Sequence, residues 1–356
     1  MTSADIFQLD LPASGGYKYL PYFDGSDVGL ATIEEDVDAF DVLPDGSIVL
    51  STLGPFSVST TYGSPGVGSG LTITGTNRDL LKFTPTSVGD NTLGSWSVFF
   101  RGDSIGLAAI SEDVDGVNVL PDGRVVFSTS GNFSVAAGVS GKDEDLFIYT
   151  PSTGAWAMYF DGSDVGLDTT GSEDIDGLFI ESSPTGGNPT LYFTTRGDFS
   201  VTGATGADED IVRFTPSTLG ATTTGTFNST LTFDGSLYGL SGPDLDGFNI
   251  KTTPAGSLSA SAAPVGSPVT AAKGQSVLLP RVSSGASTSS ASKPPIDSQP
   301  GPITEDSHGS TIRQRLIETV QSSADRLQLS SRRLANVRKA ISLILADEIL
   351  GDWPEL

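Results

Sequence analysis

The chain has 356 residues, 43 of them glycine and 21 proline, with a formal net charge of −24. Residues 1–260 carry 34 Asp and Glu against 9 Lys and Arg, net −25, whereas 261–356 carry 9 against 10, net +1; so acidic a region repels phosphate backbones, excludes nucleic acid and suits multivalent cations or a salty exterior. Without cysteine there are no disulfides or thiolate chemistry, and no run of about 18 apolar residues could span a membrane.

The N-terminus, Met1-Thr2-Ser3-Ala4-Asp5, lacks the basic-then-apolar pattern and does not read as a signal peptide. Asp5-Ile6-Phe7 opens an apolar run that predicts a strand to Leu11, and a second strand covers Tyr17 to Phe23. Tyr22-Phe23-Asp24-Gly25-Ser26-Asp27-Val28-Gly29-Leu30 then begins a repeat. It returns at Phe99–Leu107, at Tyr159–Leu167 without a change, and at Thr232–Leu240. A second element, Glu35-Asp36-Val37-Asp38, recurs as Glu112–Asp115, Glu173–Asp176 and Pro243–Asp246, at spacings of 77, 61 and 70 residues. A third element, Asp before an apolar run, stands at Asp5, Asp79, Asp145 and Asp210. Self-similarity at such a period marks an array or a propeller.

Each unit reads as four short strands. Phe40–Leu43 alternates, Pro44-Asp45-Gly46 turns, and Ser47–Leu50 runs on. The third strand, Leu80 to Thr84, stops at Pro85, and its copies stop at Pro151 and Pro216. The fourth carries an aromatic followed by an apolar pair, Trp96 to Phe100 and Trp156 to Phe160. These tryptophans read as core between units rather than sugar platforms, because Tyr19 fills the same slot in the first copy. The segment Gly54 to Asn77 reads as a long loop without a carboxylate.

The chain begins with strands three and four of a unit and leaves the repeat with strands one and two, Phe248–Ile250 and Gly256–Ser259. Joining the halves removes two raw sheet edges. The sequence therefore predicts an all-β domain over 1–260: a four-bladed β-propeller whose last blade is closed by N- and C-terminal strands. A tandem of immunoglobulin-like domains is the runner-up, but its domains need about 100 residues each. Residues 261–310, rich in Ser, Ala, Gly and Pro, read as a flexible linker. Residues 311–350 predict an amphipathic helix, with Val320, Leu327, Leu334 and Ile341 seven apart. Such a helix suits self-association, docking, or rest on a neighbour.

The elements Phe-Asp-Gly-Ser-Asp-Val-Gly-Leu, Glu-Asp-Val-Asp, Asn132-Phe133-Ser134-Val135 and Phe214-Thr215-Pro216-Ser217-Thr218-Leu219-Gly220 resemble a repeat of large, mostly uncharacterised bacterial proteins that are secreted or surface-attached. The resemblance covers about residues 1–255. It implies an exported or cell-surface context and the role of an extracellular module, and it brings no catalytic residue.

His308 is the sole histidine, so neither a Ser/His/Asp set nor a histidine metal cluster can be built. Carboxylates are the rich inventory. Asp38, Asp115, Asp176 and Asp246 each precede a first strand and approach the channel of a propeller from one end, with Asp36, Asp113, Asp174 and Asp244 two residues earlier. At about 4 Å, two like charges repel by ~4 kcal/mol at an effective dielectric near 20. A tight ring must spread, take up protons or hold a cation, and hard oxygen ligands suit Ca²⁺. The competing reading makes each Asp a turn cap. Asp143 with Asp145 and Asp208 with Asp210 form a second candidate group. The sequence favours a non-enzymatic extracellular module that binds or scaffolds a protein or carbohydrate partner, stabilised by calcium. A carbohydrate-active enzyme using paired carboxylates and an inert adhesion or spacer module are the rivals.

Overall fold

A computed structural model describes residues 4–10, 16–135, 138–169, 171–183, 186–241, 244–250 and, as backbone, 251 and 276–280. The chain divides at Ala286, and all of these residues lie in its N-terminal unit. The helix expected over 311–350 and the strand expected over Gly256–Ser259 lie outside the described residues.

The described residues are all-β, in antiparallel sheets joined by single-turn helices. β1 (Ile6–Asp10) and β2 (Lys18–Phe23) open the chain. The first unit follows with β3 (Val37–Val42), β4 (Ile48–Thr52), β5 (Phe56–Ser64), β6 (Val67–Gly75), β7 (Leu80–Ser87) and β8 (Leu93–Phe100). The second has β9 (Gly116–Val119), β10 (Val125–Ser128), β11 (Phe133–Val135), β12 (Val139–Gly141), β13 (Leu146–Thr150) and β14 (Ala155–Phe160). The third has β15 (Ile175–Glu181), β16 (Thr190–Thr195), β17 (Phe199–Val201), β18 (Ala204–Gly206), β19 (Val212–Thr218) and β20 (Thr224–Phe227). β21 (Asn249–Lys251) and β22 (Ser276–Pro280) end the described chain.

Four sheets share one order. The first is β3-β4-β7-β8, widened by β5 and β6; the second is β9-β10-β13-β14; the third is β15-β16-β19-β20; the closing sheet is β21-β22-β1-β2. Turn chemistry sets the first pairing of the first two units. Gly46 takes φ 83° and its N–H donates to Leu43 O at 2.9 Å, and Gly123 repeats this toward Leu120. Units hold six strands rather than four. Phe56-Ser57-Val58, Phe133-Ser134-Val135 and Phe199-Ser200-Val201 each begin an extra hairpin between strands two and three of the unit. The segment expected to be a loop from Gly54 to Asn77 is the longest of these hairpins. Pro85 and Pro216 lie within strands, at irregular pairings where a missing N–H is tolerated.

The closing sheet corrects the expected partner of β1. Ser276–Pro280 pairs with β1 from Ile6↔Pro280 to Asp10↔Ser276, and with β21 on its other side. That strand falls inside the stretch read as linker over 261–310. Composition averaged over fifty residues concealed the short apolar run Val277-Leu278-Leu279.

The cores lie between consecutive sheets. Ile6 and Phe23 pack with Phe40, Phe83 and Trp96, joining the closing sheet to the first. Leu80 and Phe127 with Phe147 and Trp156 join the first to the second. Phe160 with Phe193, Phe214 and Phe227 joins the second to the third. Ile211 and Phe233 with Leu9 and Phe248 join the third to the closing sheet. The aromatic slot expected to be core is core. Trp96 Nε1 donates to Val28 O at 2.9 Å, Trp156 Nε1 to Ile105 O at 2.8 Å, and Tyr19 OH to Tyr238 O at 2.9 Å.

Candidate metal centre

The first strands β3, β9, β15 and β21 run side by side, and the acidic residues gather at their starts. Close approach is permitted by the glycines after Asp115 and Asp176: a Cβ on Gly177 would collide with the backbone of Gly247, and one on Gly116 with Leu178. Asp38 and Asp176 sit where the pairing register slips, between Val37 and Ala39 and between Ile175 and Gly177. Such irregularities re-aim a side chain away from the regular pleat.

Within the cluster the carboxylates are not equivalent. Asp115 Oδ1 accepts from Ser128 Oγ at 2.9 Å, and Asp176 Oδ1 from Thr194 Oγ1 at 2.8 Å. Ser51, the counterpart of those hydroxyls, turns instead to Asn77 O. Asp38, only 8% exposed, is left with both carboxylate oxygens unbonded. Asp115 Oδ2, Asp176 Oδ2 and Asp244 Oδ1 are likewise buried without a hydrogen-bond partner. Burial first, and neighbouring carboxylates second, hold Asp38, Asp115 and Asp176 well above the usual carboxylate range. The neighbours that raise Asp38 are Asp113, Asp246 and Asp36; those that raise Asp115 are Asp174, Asp176 and Asp113; those that raise Asp176 are Asp246 and Asp174. Burial and the charges of Asp176 and Asp246 push Asp244 up to about 11. These influences link Asp36, Asp38, Asp113, Asp115, Asp174, Asp176, Asp244 and Asp246 electrostatically.

Asp176, Asp244 and Asp246 each offer an oxygen within 4.8 Å of the others. Oxygens on opposite sides of one Ca²⁺ lie about 4.8 Å apart, from a ligand distance near 2.4 Å. The triad's spread and all-oxygen chemistry therefore fit a hard divalent cation.

Asp145 and Asp210, by contrast, are caps. In every unit the Asp of the third element accepts from the glycine N–H of the repeat loop: Asp5 from Gly25, Asp79 from Gly102, Asp145 from Gly162 and Asp210 from Gly235, all between 2.8 and 3.1 Å. Asp143 and Asp208 use their backbone carbonyls to receive Ile175 N and Leu245 N, which ties neighbouring units together. Glu35, Glu112 and Glu173 turn away from the cluster and accept from Ser57, Ser134 and Ser200 N–H of the extra hairpins.

Two residues escaped sequence reasoning. Arg196 donates through Nη1 to Asp174 Oδ2 at 3.0 Å. Burial lifts the Asp174 carboxyl to about 7 against the opposing pull of this guanidinium. Its backbone N–H bonds Asp174 O, as those of Leu53 and Ser130 bond Asp36 O and Asp113 O, so a departure from the repeat at this position was the available signal. Asp41, three residues past Asp38, accepts from Val119 N at 2.7 Å and Asn249 Nδ2 at 2.8 Å, bridging three first strands.

Fold and site together define an all-β protein of repeated antiparallel sheets around a buried acidic cluster. No protein-family model matches the chain, and no curated protein matches it. Among solved structures it is similar to the extracellular domain of a putative one-component system from B. thetaiotaomicron, with 10% identity over 60% of this chain and a TM-score of 0.22. The match spans 32% of that chain. So loose a likeness carries neither architecture nor activity across. No described helix is long and apolar enough to cross a membrane.

Proposed function

We propose that residues 1–286 form a four-bladed β-propeller that serves as a non-enzymatic extracellular binding or scaffolding module, held together at its axis by a divalent cation, calcium by preference. Four cores link each sheet to the next and the third to the closing sheet, as closure requires. The extracellular assignment rests on the acidic composition and the repeat resemblance; the partner is a protein or a carbohydrate.

The observation that carries the cation is the triad Asp176, Asp244 and Asp246, whose oxygens lie within 4.8 Å of one another and in which Asp176 Oδ2 and Asp244 Oδ1 are buried and unbonded. A buried unpaired carboxylate costs several kcal/mol unless it is protonated or coordinated. Calcium supplies the missing partner in place of the protons that the metal-free cluster would otherwise take up. Elemental analysis of the purified protein, with thermal melts in calcium and in chelator, tests the reading. A cation bound only to the folded state adds ~2.7 kcal/mol at a hundredfold excess over Kd. Metal-free protein that melts identically in both buffers would leave the inert spacer as the better reading.

A further inference from the structure

We infer that an open groove between the second and third sheets binds a neutral saccharide, with the Tyr159 ring against the sugar's C–H face and the Asp122–Arg124 pair on its hydroxyls. The inference rests on the binding-module reading above and names the site and the class of ligand.

The groove has a volume of about 360 Å³, within the range of small-ligand sites. Leu120 and Ile180, from the edge of the core between the two sheets, line it, with Tyr159 and Leu219 packed on that same core. These residues stand at the ends of β9 and β15, away from the acidic cluster at the strand starts. The repeat is broken here. Five residues join β3 to β4 and β9 to β10, whereas eight join β15 to β16, and Ser182 and Pro189 of that longer connection form one wall. Asn188 ties the wall down, donating through Nδ2 to Ser217 O at 2.8 Å and to Pro216 O at 3.3 Å. Gly220 N–H donates to Tyr159 O at 2.9 Å and fixes the turn carrying Leu219 beside β14. A groove set this way loses little freedom when it is filled.

The chemistry of the lining selects the ligand. Asp122 and Arg124 are the only charged residues among the described lining, and they pair at 2.9 Å while remaining about half exposed. The groove is therefore neutral in a region that carries −25. A polyanion is repelled by the region as a whole, and a basic peptide finds no unpaired carboxylate in the lining. A wholly apolar ligand would strand the remaining hydrogen-bonding atoms of the ion pair away from water. A sugar ring meets each demand. Its hydroxyls both donate and accept, which suits a carboxylate that only accepts beside a guanidinium that only donates. Its C–H face suits an aromatic ring with a polar tip. Burial pushes the Tyr159 phenol up to about 12, so that tip stays a neutral hydroxyl, and the charges of Arg124 and Asp122 both reach it.

The experiment probes an array of neutral and uronic-acid oligosaccharides with the labelled full-length chain in calcium buffer, then titrates the best-bound neutral glycan by calorimetry. Neutral glycans should bind, and uronic-acid glycans should bind less. Arg124→Gln and Asp122→Asn should each weaken binding about tenfold or more. Tyr159→Leu, which removes the ring, should weaken it further than Tyr159→Phe, which keeps the ring and the packing. Asp45→Asn, at the matching turn of the first unit, should leave affinity unchanged. Thermal melts confirm that each variant is folded. Binding of no neutral glycan, a preference for uronic acids, or an affinity indifferent to Arg124 and Tyr159 overturns the inference, and leaves a module with a protein partner standing. A glycan that binds here, responds to these variants and is cleaved supports the site and overturns the non-enzymatic reading instead.

Discussion

Burying carboxylates together gives the protein an unusual response to pH. A carboxyl whose pKa is higher in the folded than in the unfolded state takes up protons on folding. Its penalty is absent below the unfolded value near 4 and grows as pH rises through the folded value, which for Asp174 is about 7. Metal-free protein should therefore melt several degrees higher at pH 5 than at pH 8. Calcium should raise the melt more at pH 8, because protons and calcium compete for the same oxygens. Scanning fluorimetry in chelator and in calcium reads both trends, and a flat metal-free profile would contradict the geometry. The double substitution Asp176→Asn with Asp246→Asn should raise the metal-free melt and abolish the calcium increment. The fourfold recurrence of Asp was legible in sequence because spacing alone reveals it. The fates of the individual copies were not. Asp38 is bare because Ser51 turns to Asn77 O, a choice of rotamer that no spacing records.

At the scale of elements, the repeat loop earns its invariance from backbone geometry. In Tyr22–Leu30 the Asp24 side chain holds Ser26 and Asp27 N–H while Asp27 Oδ2 receives Thr92 N at 2.9 Å from the next sheet. Asp164 receives Thr223 N in the same way at the identical copy. The second copy replaces Asp24 by Arg101 and Asp27 by Ser104, and the fourth replaces Asp27 by Leu237. Glycine ends both loops in the left-handed region, Gly29 at φ 95° and Gly166 at φ 91°. A Cβ on Gly166 meets open space, whereas one on Gly29 meets the Tyr62 hydroxyl of β5. Gly166→Ala should cost about 1–2 kcal/mol from backbone strain alone, and Gly29→Ala about 1–3 kcal/mol more from overpacking, as denaturant titration would measure. Equal costs would mean that β5 does not seal the first loop. Strands one and two of the first two units were legible because alternation and the Pro-Asp-Gly turn agree. The hairpins were missed because Phe-Ser-Val is too short to display a period, and because β6, with Val67 and Leu71 exposed, alternates against solvent on both faces.

For the molecule as a whole, the closing sheet fixes where the domain ends. A chain truncated after Ala286 should unfold in one cooperative transition at the wild-type temperature of the β domain. Truncation after Ala260 removes Ser276–Pro280, leaves β1 and β21 without the strand between them, and should lower the melt by many degrees or broaden it. Calorimetry of the two fragments separates the boundary at 286 from the one composition suggests at 260. The sharing of one sheet between the two ends of the repeat was readable from complementary half-units. Which downstream strand completes it was not, since five residues within a long polar stretch carry little local signal. That shared sheet also has a mechanical meaning. β1 and β22 are antiparallel neighbours with Ile6 opposite Pro280, so chain entry and exit lie at the same end of the same pair. Tension applied between the two would peel their hydrogen bonds apart one after another instead of loading them together, and the domain would yield at its closure first. In a chain tethered at both sides of this domain, the closing pair would act as a mechanical fuse, releasing length under low force while the three continuous sheets stay folded.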